Sequence, residues 1–164
     1  MKENNYAFID TQNINMSLKE QGWKLDWKRF RIYLNDKYKI NKAYLFLGYI
    51  PGNQELYNFL QEAGFIIVFK DVLELKSGKI KGNVDAELVL ETMIHIGKYD
   101  KATIISGDGD FACLIKHLIK ESKLKKLIVP NKDKYSVFLR KAGKEKIDSI
   151  TNFRQKVEYK KRAH

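Results

Sequence analysis

The chain has a single cysteine, Cys113, in 164 residues. An internal disulfide is therefore excluded, and with no set of cysteines to join His95 or His117, neither histidine reads as a zinc ligand. Cys113 falls in an apolar helical pattern and reads as a small core residue. Two prolines are too few to mark a linker, and no internal repeat is visible. No apolar run is longer than a strand. Phe65 to Phe69 and Leu45 to Leu47 fall far short of a bilayer crossing, so no membrane partner is expected. The opening MKENNYAFID reaches an acid after a few apolar residues, unlike a secretory signal, and cytoplasm is the expected compartment.

What is present is a globular composition, 44% hydrophobic with nine Phe, in a length that fits one domain. The net charge of +11 is unevenly spread. Residues 1–115 hold 15 basic and 15 acidic side chains, whereas residues 116–164 hold 16 basic and five acidic ones and supply the whole excess. A neutral part followed by a basic part suits an enzyme acting on a polyanion, the first tolerating a metal and carboxylates and the second attracting phosphates. The plainer alternative is a solvated lysine-rich surface.

Periodicity lays out an alternating chain. Tyr6 to Ile9 is an apolar strand, followed by a polar loop from Thr11 to Gly22. Asp26 is placed to cap a helix from Trp27 to about Tyr38. Lys42 to Tyr49 is a second strand, Asn53 can cap a helix from Gln54 to Ala63 that Gly64 ends, and Phe65 to Phe69 is a third strand. Asp71 to Gly82 is a short hairpin turning at Ser77 and Gly78 or an irregular arm, and in either case a candidate flap. Then come an amphipathic helix from Val84 to Ile96, a strand from Ala102 to Ile105, a helix from Phe111 to Ile119, a strand from Lys126 to Val129 and a helix from Lys134 to Lys141. Ile147 to Ile150 is a candidate edge strand. The succession predicts an α/β fold, a parallel doubly wound sheet of about five strands in one domain. That domain spans residues 1–151, and residues 152–164 are a basic tail, either a frayed helix or a disordered end.

Carboxylates fall at the ends of strands in this order. Asp10 ends the first strand, SGDGDF puts Asp108 and Asp110 just past the strand at Ala102, and Asp85 heads the helix that feeds that strand. Ligands bind at the carboxyl edge of open α/β sheets. Four carboxylates there need a counter-charge, since two unit charges about 4 Å apart repel by roughly 4 kcal/mol at an effective dielectric near 20. A divalent cation meets that need, because Mg²⁺ takes one or two carboxylates directly and completes its shell with water and substrate phosphate. Each acid also has a plainer reading: Asp10 suits an N-cap or Asx turn, Asp85 the positive end of its helix, and a lone DGD occurs in turns. An EF-hand is excluded, because Phe111 and Ala112 begin a helix where its ligands would continue.

FID with Asn13, KGNVD with Asp85, and SGDGDF with Asp108 and Asp110, in that order over residues 5–150, resemble the signature blocks of the NYN domain family, in its LabA-like branch of the PIN-like nucleases. The resemblance implies a Rossmann-like PIN fold and a site for Mg²⁺ or Mn²⁺ built from Asp10, Asp85, Asp108 and Asp110. It also implies metal-dependent endonucleolytic hydrolysis of single-stranded or structured RNA, and a homodimer is compatible with it. Asn13 matches the polar partner after the first strand and Ser106 the small hydroxyl residue before the acid pair. Thr11 and Gln12 depart from the glycine and small or acidic residue usual after the first Asp, and Gly109 stands where Ser is frequent.

Lys81 is a candidate contact for the scissile phosphate or a surface lysine, and Glu91 a candidate support for Lys81 or for the metal's water shell. Trp23, Trp27 and Tyr49 are candidates for base stacking or for core packing. From the basic part, Lys116, Lys120, Lys123, Lys125, Lys126, Arg140, Lys141 and Lys144 are candidate phosphate contacts. Three other functions compete: an RNA-binding regulator with the same fold and no turnover, a DNase with the same site, and another magnesium phosphotransfer enzyme. A DxDxT phosphatase would need an acid where Gln12 stands, and a Toprim-like domain a Glu where Asp10 stands.

Overall fold

A computed structural model describes residues 2–78 and 80–161, with the backbone alone for residues 80 and 81. In chain order the elements are β1 (Asn5–Asp10), α1 (Thr11–Glu20), α2 (Trp27–Tyr38), β2 (Ile40–Gly48), α3 (Gln54–Glu62), β3 (Phe65–Lys70), β4 (Leu73–Glu74), β5 (Ile80–Lys81), α4 (Asp85–Ile94), β6 (Ala102–Ile105), α5 (Ala112–Lys120), β7 (Leu124–Val129), α6 (Val137–Gly143), β8 (Ile147–Ser149) and α7 (Arg154–Val157). Six strands form one parallel sheet in the order β3-β2-β1-β6-β7-β8. Ile147–Ser149 thus adds an edge strand to the five expected. β1 lies at the centre with all six residues buried. Helices cover both faces, and this is why its sequence is a continuous apolar run and not an alternation. Ile9, Leu45 and Ile105 point into one core with Ile14, Leu18, Phe30 and Leu34, while Phe8, Tyr44 and Ile104 point into the other with Leu88, Leu114 and Leu118.

The chain steps outward from β1 to β2 and β3, then returns to lay β6 on the other side of β1. Strand order therefore reverses between β1 and β6, and the connections leaving their carboxyl ends diverge and open a crevice.

Four expectations need correction. Thr11 to Gly22 is not a loop: its first ten residues are α1, which Asp10 caps by accepting a hydrogen bond from the Asn13 N–H, and only Thr11, Ile14 and Leu18 face inward. Cys113 is exposed, because Leu114, Ile115 and Leu118 take the inner side of α5. The helix placed at Lys134 starts at Val137, where the Ser136 hydroxyl accepts from the Phe138 N–H. The segment from residue 152 is folded through Tyr159. Phe153 stacks on Phe30 and Tyr33, Val157 is fully buried, and the N–H groups of Asp26 and Tyr159 bond to Val157 and Lys24 carbonyls at 2.8 and 2.9 Å.

Asp71 to Gly82 forms the hairpin alternative, β4 pairing antiparallel with β5. Its root is pinned where Val72 sits between two glycines. A Cβ on Gly48 would collide with Val72 Cγ1, and one on Gly82 would lie 2.9 Å from it. Among the described residues no helix is long and apolar enough to cross a membrane.

Candidate metal centre

Asp10 is the last residue of β1 and is 5% exposed. Its two oxygens have separate tasks: Oδ1 accepts from the Asn13 N–H at 3.3 Å and Oδ2 from the Ser106 hydroxyl at 3.1 Å. Ser106 Oγ in turn accepts from the Asp108 N–H at 3.1 Å, and Asp108 Oδ1 from the Asp110 N–H at 2.9 Å. Asn13 closes the crevice from the α1 side, its Oδ1 accepting from the Gly107 N–H at 2.8 Å. The turns after β1 and β6 are thereby fastened to each other. Asp85 arrives from the hairpin side, its N–H held by Asn83 Oδ1 at 2.7 Å.

The result is that Asp10, Asp85 and Asp108 each place one carboxylate oxygen within 4.8 Å of the others. They line a cavity of about 240 Å³ with Asn13, Asn83 and Gly82. Asp85 Oδ2 is buried and has no hydrogen-bond partner among the described residues, other than what it shares with the Asp108 carboxyl. Burial and the charges of Asp108 and Asp10 push the Asp85 carboxyl up to about 6. Asp10 is raised as well, mainly by burial, against the opposing hydrogen bonds from Asn13 and Ser106. Carboxylates that converge in this way are stabilised by a proton shared between them or by a bound cation.

Asp110 does not belong to the converging group. It lies in the 3₁₀ turn Gly109–Phe111, exposed, on the side of the crevice where Val89, Leu90 and Met93 of α4 face Phe111. Gly109 is required there, because a Cβ would collide with Ser136 Oγ at the head of α6. Asn13 Oδ1 and the Ser106 hydroxyl fasten the two turns, and Asn13 also lines the acid cavity. The side chain of Lys81 lies outside the described residues. Glu91 is turned away from the acids toward His95, whose Nε2 lies 3.1 Å from its Oε2. Trp23 is a core residue under the Arg154 guanidinium, Trp27 packs edge-on against Phe30 and Phe65, and Tyr49 is exposed beside Tyr57 and Phe69.

The basic candidates divide by edge of the sheet. Lys120 ends α5 at the amino edge, opposite the acids. Lys123 and Lys125 are there too, with the Lys123 carbonyl accepting from the Ala102 N–H and Lys125 paired with Glu3 at 2.7 Å. Lys116 is exposed midway along α5, and Lys126 lies part-buried on β7. Arg140, in the first turns of α6, lies over Tyr135, with Lys141 and Lys144 exposed beyond it. Sequence reasoning passed over three lysines at the acid edge. Lys70 ends β3, donates to the Asn83 carbonyl and pairs with Glu87 at 3.4 Å. Lys132 and Lys134 project from the loop after β7, Lys134 3.5 Å from Glu20. The available signal was positional, since Lys70 ends a strand as Asp10 does and Lys132 and Lys134 lie shortly after one.

The NYN domain family model matches residues 6–149, from β1 to the end of β8, and takes in all three converging acids. No curated protein shows significant sequence similarity to the chain. The crystal structure of a protein of unknown function from Vibrio parahaemolyticus RIMD 2210633 is similar in fold, with a TM-score of 0.73 at 23% identity over 91% of this chain and 93% of that one. A parallel α/β sheet with an acidic crevice at its switch point and a family match over most of its length lead to one conclusion: the chain belongs to the NYN domain family, whose members are PIN-like nucleases.

Proposed function

We propose that the protein is a metal-dependent endoribonuclease of the LabA-like branch, hydrolysing phosphodiester bonds in single-stranded or structured RNA. The observation that carries this reading is the convergence of Asp10, Asp85 and Asp108 on one cavity. All three are hard oxygen donors, which suits Mg²⁺ or Mn²⁺. Such an ion, when bound, activates a water and offsets charge developing on the phosphate oxygens. The chain's own part is to hold the carboxylates in place: Ser106 and the Asn13 N–H orient Asp10, the Asp110 N–H orients Asp108, and Asn83 sets the head of α4 that carries Asp85. Asp110, at the rim, is assigned to the outer water shell or the strand's path.

The test is incubation of the purified chain with labelled single-stranded, hairpin and duplex RNA and DNA, with Mg²⁺, Mn²⁺ or EDTA. Internal cuts in RNA that EDTA abolishes are expected. Tight RNA binding with no metal-dependent cutting would transfer the protein to the regulator reading, and preferential cutting of DNA to the nuclease of the other nucleic acid.

The raised Asp85 carboxyl gives a second expected result. Between the ordinary carboxylate range and about pH 6, the folded metal-free protein keeps a proton that the unfolded chain has released. Its stability therefore falls as pH rises through that window, and the loss is complete above it. A bound cation reverses the penalty. Melting at about pH 7.5 should rise on adding Mg²⁺ by roughly 5 to 10 °C at a hundredfold excess over Kd, and at about pH 4.5 by much less. Equal shifts at both pH values would place the ion elsewhere.

The division of lysines gives a third. Each phosphate contact on a single strand contributes about 0.7 to the log–log salt slope of binding. Replacing Lys132 and Lys134 together by Ala should lower the slope by about 1.4, whereas Lys120→Ala with Lys125→Ala should leave it unchanged. Salt titrations of RNA affinity decide this, and the reverse outcome would move the RNA path to the amino edge.

A further inference from the structure

Beside the acids opens a second cavity, of about 320 Å³, between α1, α3 and the root of the hairpin. Gln12, Met16 and Gly82 line both cavities, so the two adjoin. Its walls are apolar and partly aromatic, from Trp27, Leu47, Leu56 and Tyr57. None of the described residues lining it is charged, although the chain carries +11 overall. That lining suits an occupant with apolar faces better than a bare phosphate or carboxylate. The polar groups are neutral and few, and two lack employment. Thr11 is 6% exposed, and its buried hydroxyl has no hydrogen-bond partner among the described residues. Asn53 stands at the N-cap of α3, yet its side chain makes no capping bond.

Burying a hydroxyl without a partner costs about 1–3 kcal/mol, and the wall's further hydrogen-bonding groups are the side-chain amides of Gln12, Asn15 and Asn53. The group seated there then presents apolar surface to Trp27, Tyr57 and Leu56 and hydrogen-bonding atoms to the side-chain amides. A nucleobase has these properties: faces that stack and an edge of donors and acceptors. We propose that this cavity receives one nucleobase of the strand whose phosphate lies at Asp10, Asp85 and Asp108, and that it sets the base preference at one fixed position beside the cut. The proposal rests on the nuclease reading for its strand, though not for its cavity. It also gives Thr11 and Gln12, the departures from the residues usual after the first Asp, a common role as the seam between phosphate and base.

Two measurements test it. Metal-free protein is titrated with the four nucleoside 5′-monophosphates while backbone amide shifts are followed by NMR. Separately, cut positions are mapped in RNAs carrying a single abasic site at each position in turn. Shifts should concentrate at Gln12, Asn15, Asn53 and Tyr57. One abasic position should lower kcat/KM by roughly 5- to 150-fold, the range that loss of one base contact produces. Asn53→Ala with Leu56→Ala, a half-exposed pair whose replacement spares the core, should bring the parent-to-abasic ratio toward one. Cutting that is indifferent to every base, with or without shifts by free nucleotides, overturns the proposal and leaves the nuclease reading standing. Shifts at these amides with no cutting under any condition overturn the nuclease reading and retain the base site. Neither shifts nor cutting removes both.

Discussion

Asp108→Asn is expected to abolish metal-dependent cleavage, by a factor on the order of 1,000, the rate equivalent of about 4 kcal/mol, and to make the metal-free protein more stable. The amide keeps the oxygen that accepts from the Asp110 N–H, and Asp108 is only part-buried, so the turn after β6 has no reason to rearrange. What disappears is a charge that raises the proton affinity of both Asp85 and Asp10. Relieving it should raise the melting temperature in EDTA and lower the Asp85 carboxyl toward its ordinary range, which narrows the pH window of instability. The same change removes one of three converging oxygens, so the rise in melting temperature that Mg²⁺ gives the parent should shrink or vanish. Activity, melting in EDTA and melting in Mg²⁺ thus move in three separate ways from one substitution. Wild-type cleavage by the variant, or an undiminished response to Mg²⁺, would exclude Asp108 from the site. A drop in melting temperature in EDTA would mean that the carboxylate is held by attractions and not by repulsion.

The three acids were legible because a parallel sheet imposes a positional rule. A residue just past an apolar run lands at the carboxyl edge, and Asp10 and Asp108 are such residues, while Asp85 follows a short arm and heads a helix that returns to the sheet. The same rule misled at Asp110. Two residues beyond Asp108 the chain is already in a 3₁₀ turn, which rotates successive side chains away from one another, so adjacency in sequence did not become convergence in space. α1 escaped notice because its inner stripe is only Ile14 and Leu18 with Thr11, in a segment otherwise polar apart from the exposed Met16. A helix needs just one apolar stripe when a packed sheet supplies the rest. The charge asymmetry was real, but counting cannot assign edges. α5 carries Lys116 and Lys120 away from the acids because a crossover helix must return to the start of the next strand. The cavity beside the site was illegible for a related reason, as its walls come from four elements that no local pattern joins.

Removing residues 153–164 is expected to unfold the protein, and removing residues 160–164 to leave its stability unchanged. The two truncations differ mainly in what they take from the core. Phe153 stacks on Tyr33 at 4.3 Å between ring centres and on Phe30 at 6.5 Å, and Val157 is fully buried. Arg154 lies over Trp23, and the backbone bonds between Asp26 and Val157 and between Lys24 and Tyr159 tie the segment to the approach to α2. Loss of a buried Phe side chain costs about 3–5 kcal/mol and of a buried Val about 1.5–3, together comparable to the 5–15 kcal/mol that holds a typical domain folded. Circular dichroism of the longer truncation should show no cooperative melt at 25 °C or above. That outcome bears on function, because inactivity of the longer truncation would report loss of the fold and say nothing of RNA capture. Only the shorter one, which takes away Lys160, Lys161 and Arg162, isolates the basic end. If capture uses it, RNA affinity falls at low salt while the melt and the rate at saturating RNA are unchanged, the pattern of lost uniform binding. A cooperative melt near that of the full chain for the longer truncation would show that Phe153 and Val157 cover a core already stable without them, and would restore the whole segment to the status of a tail.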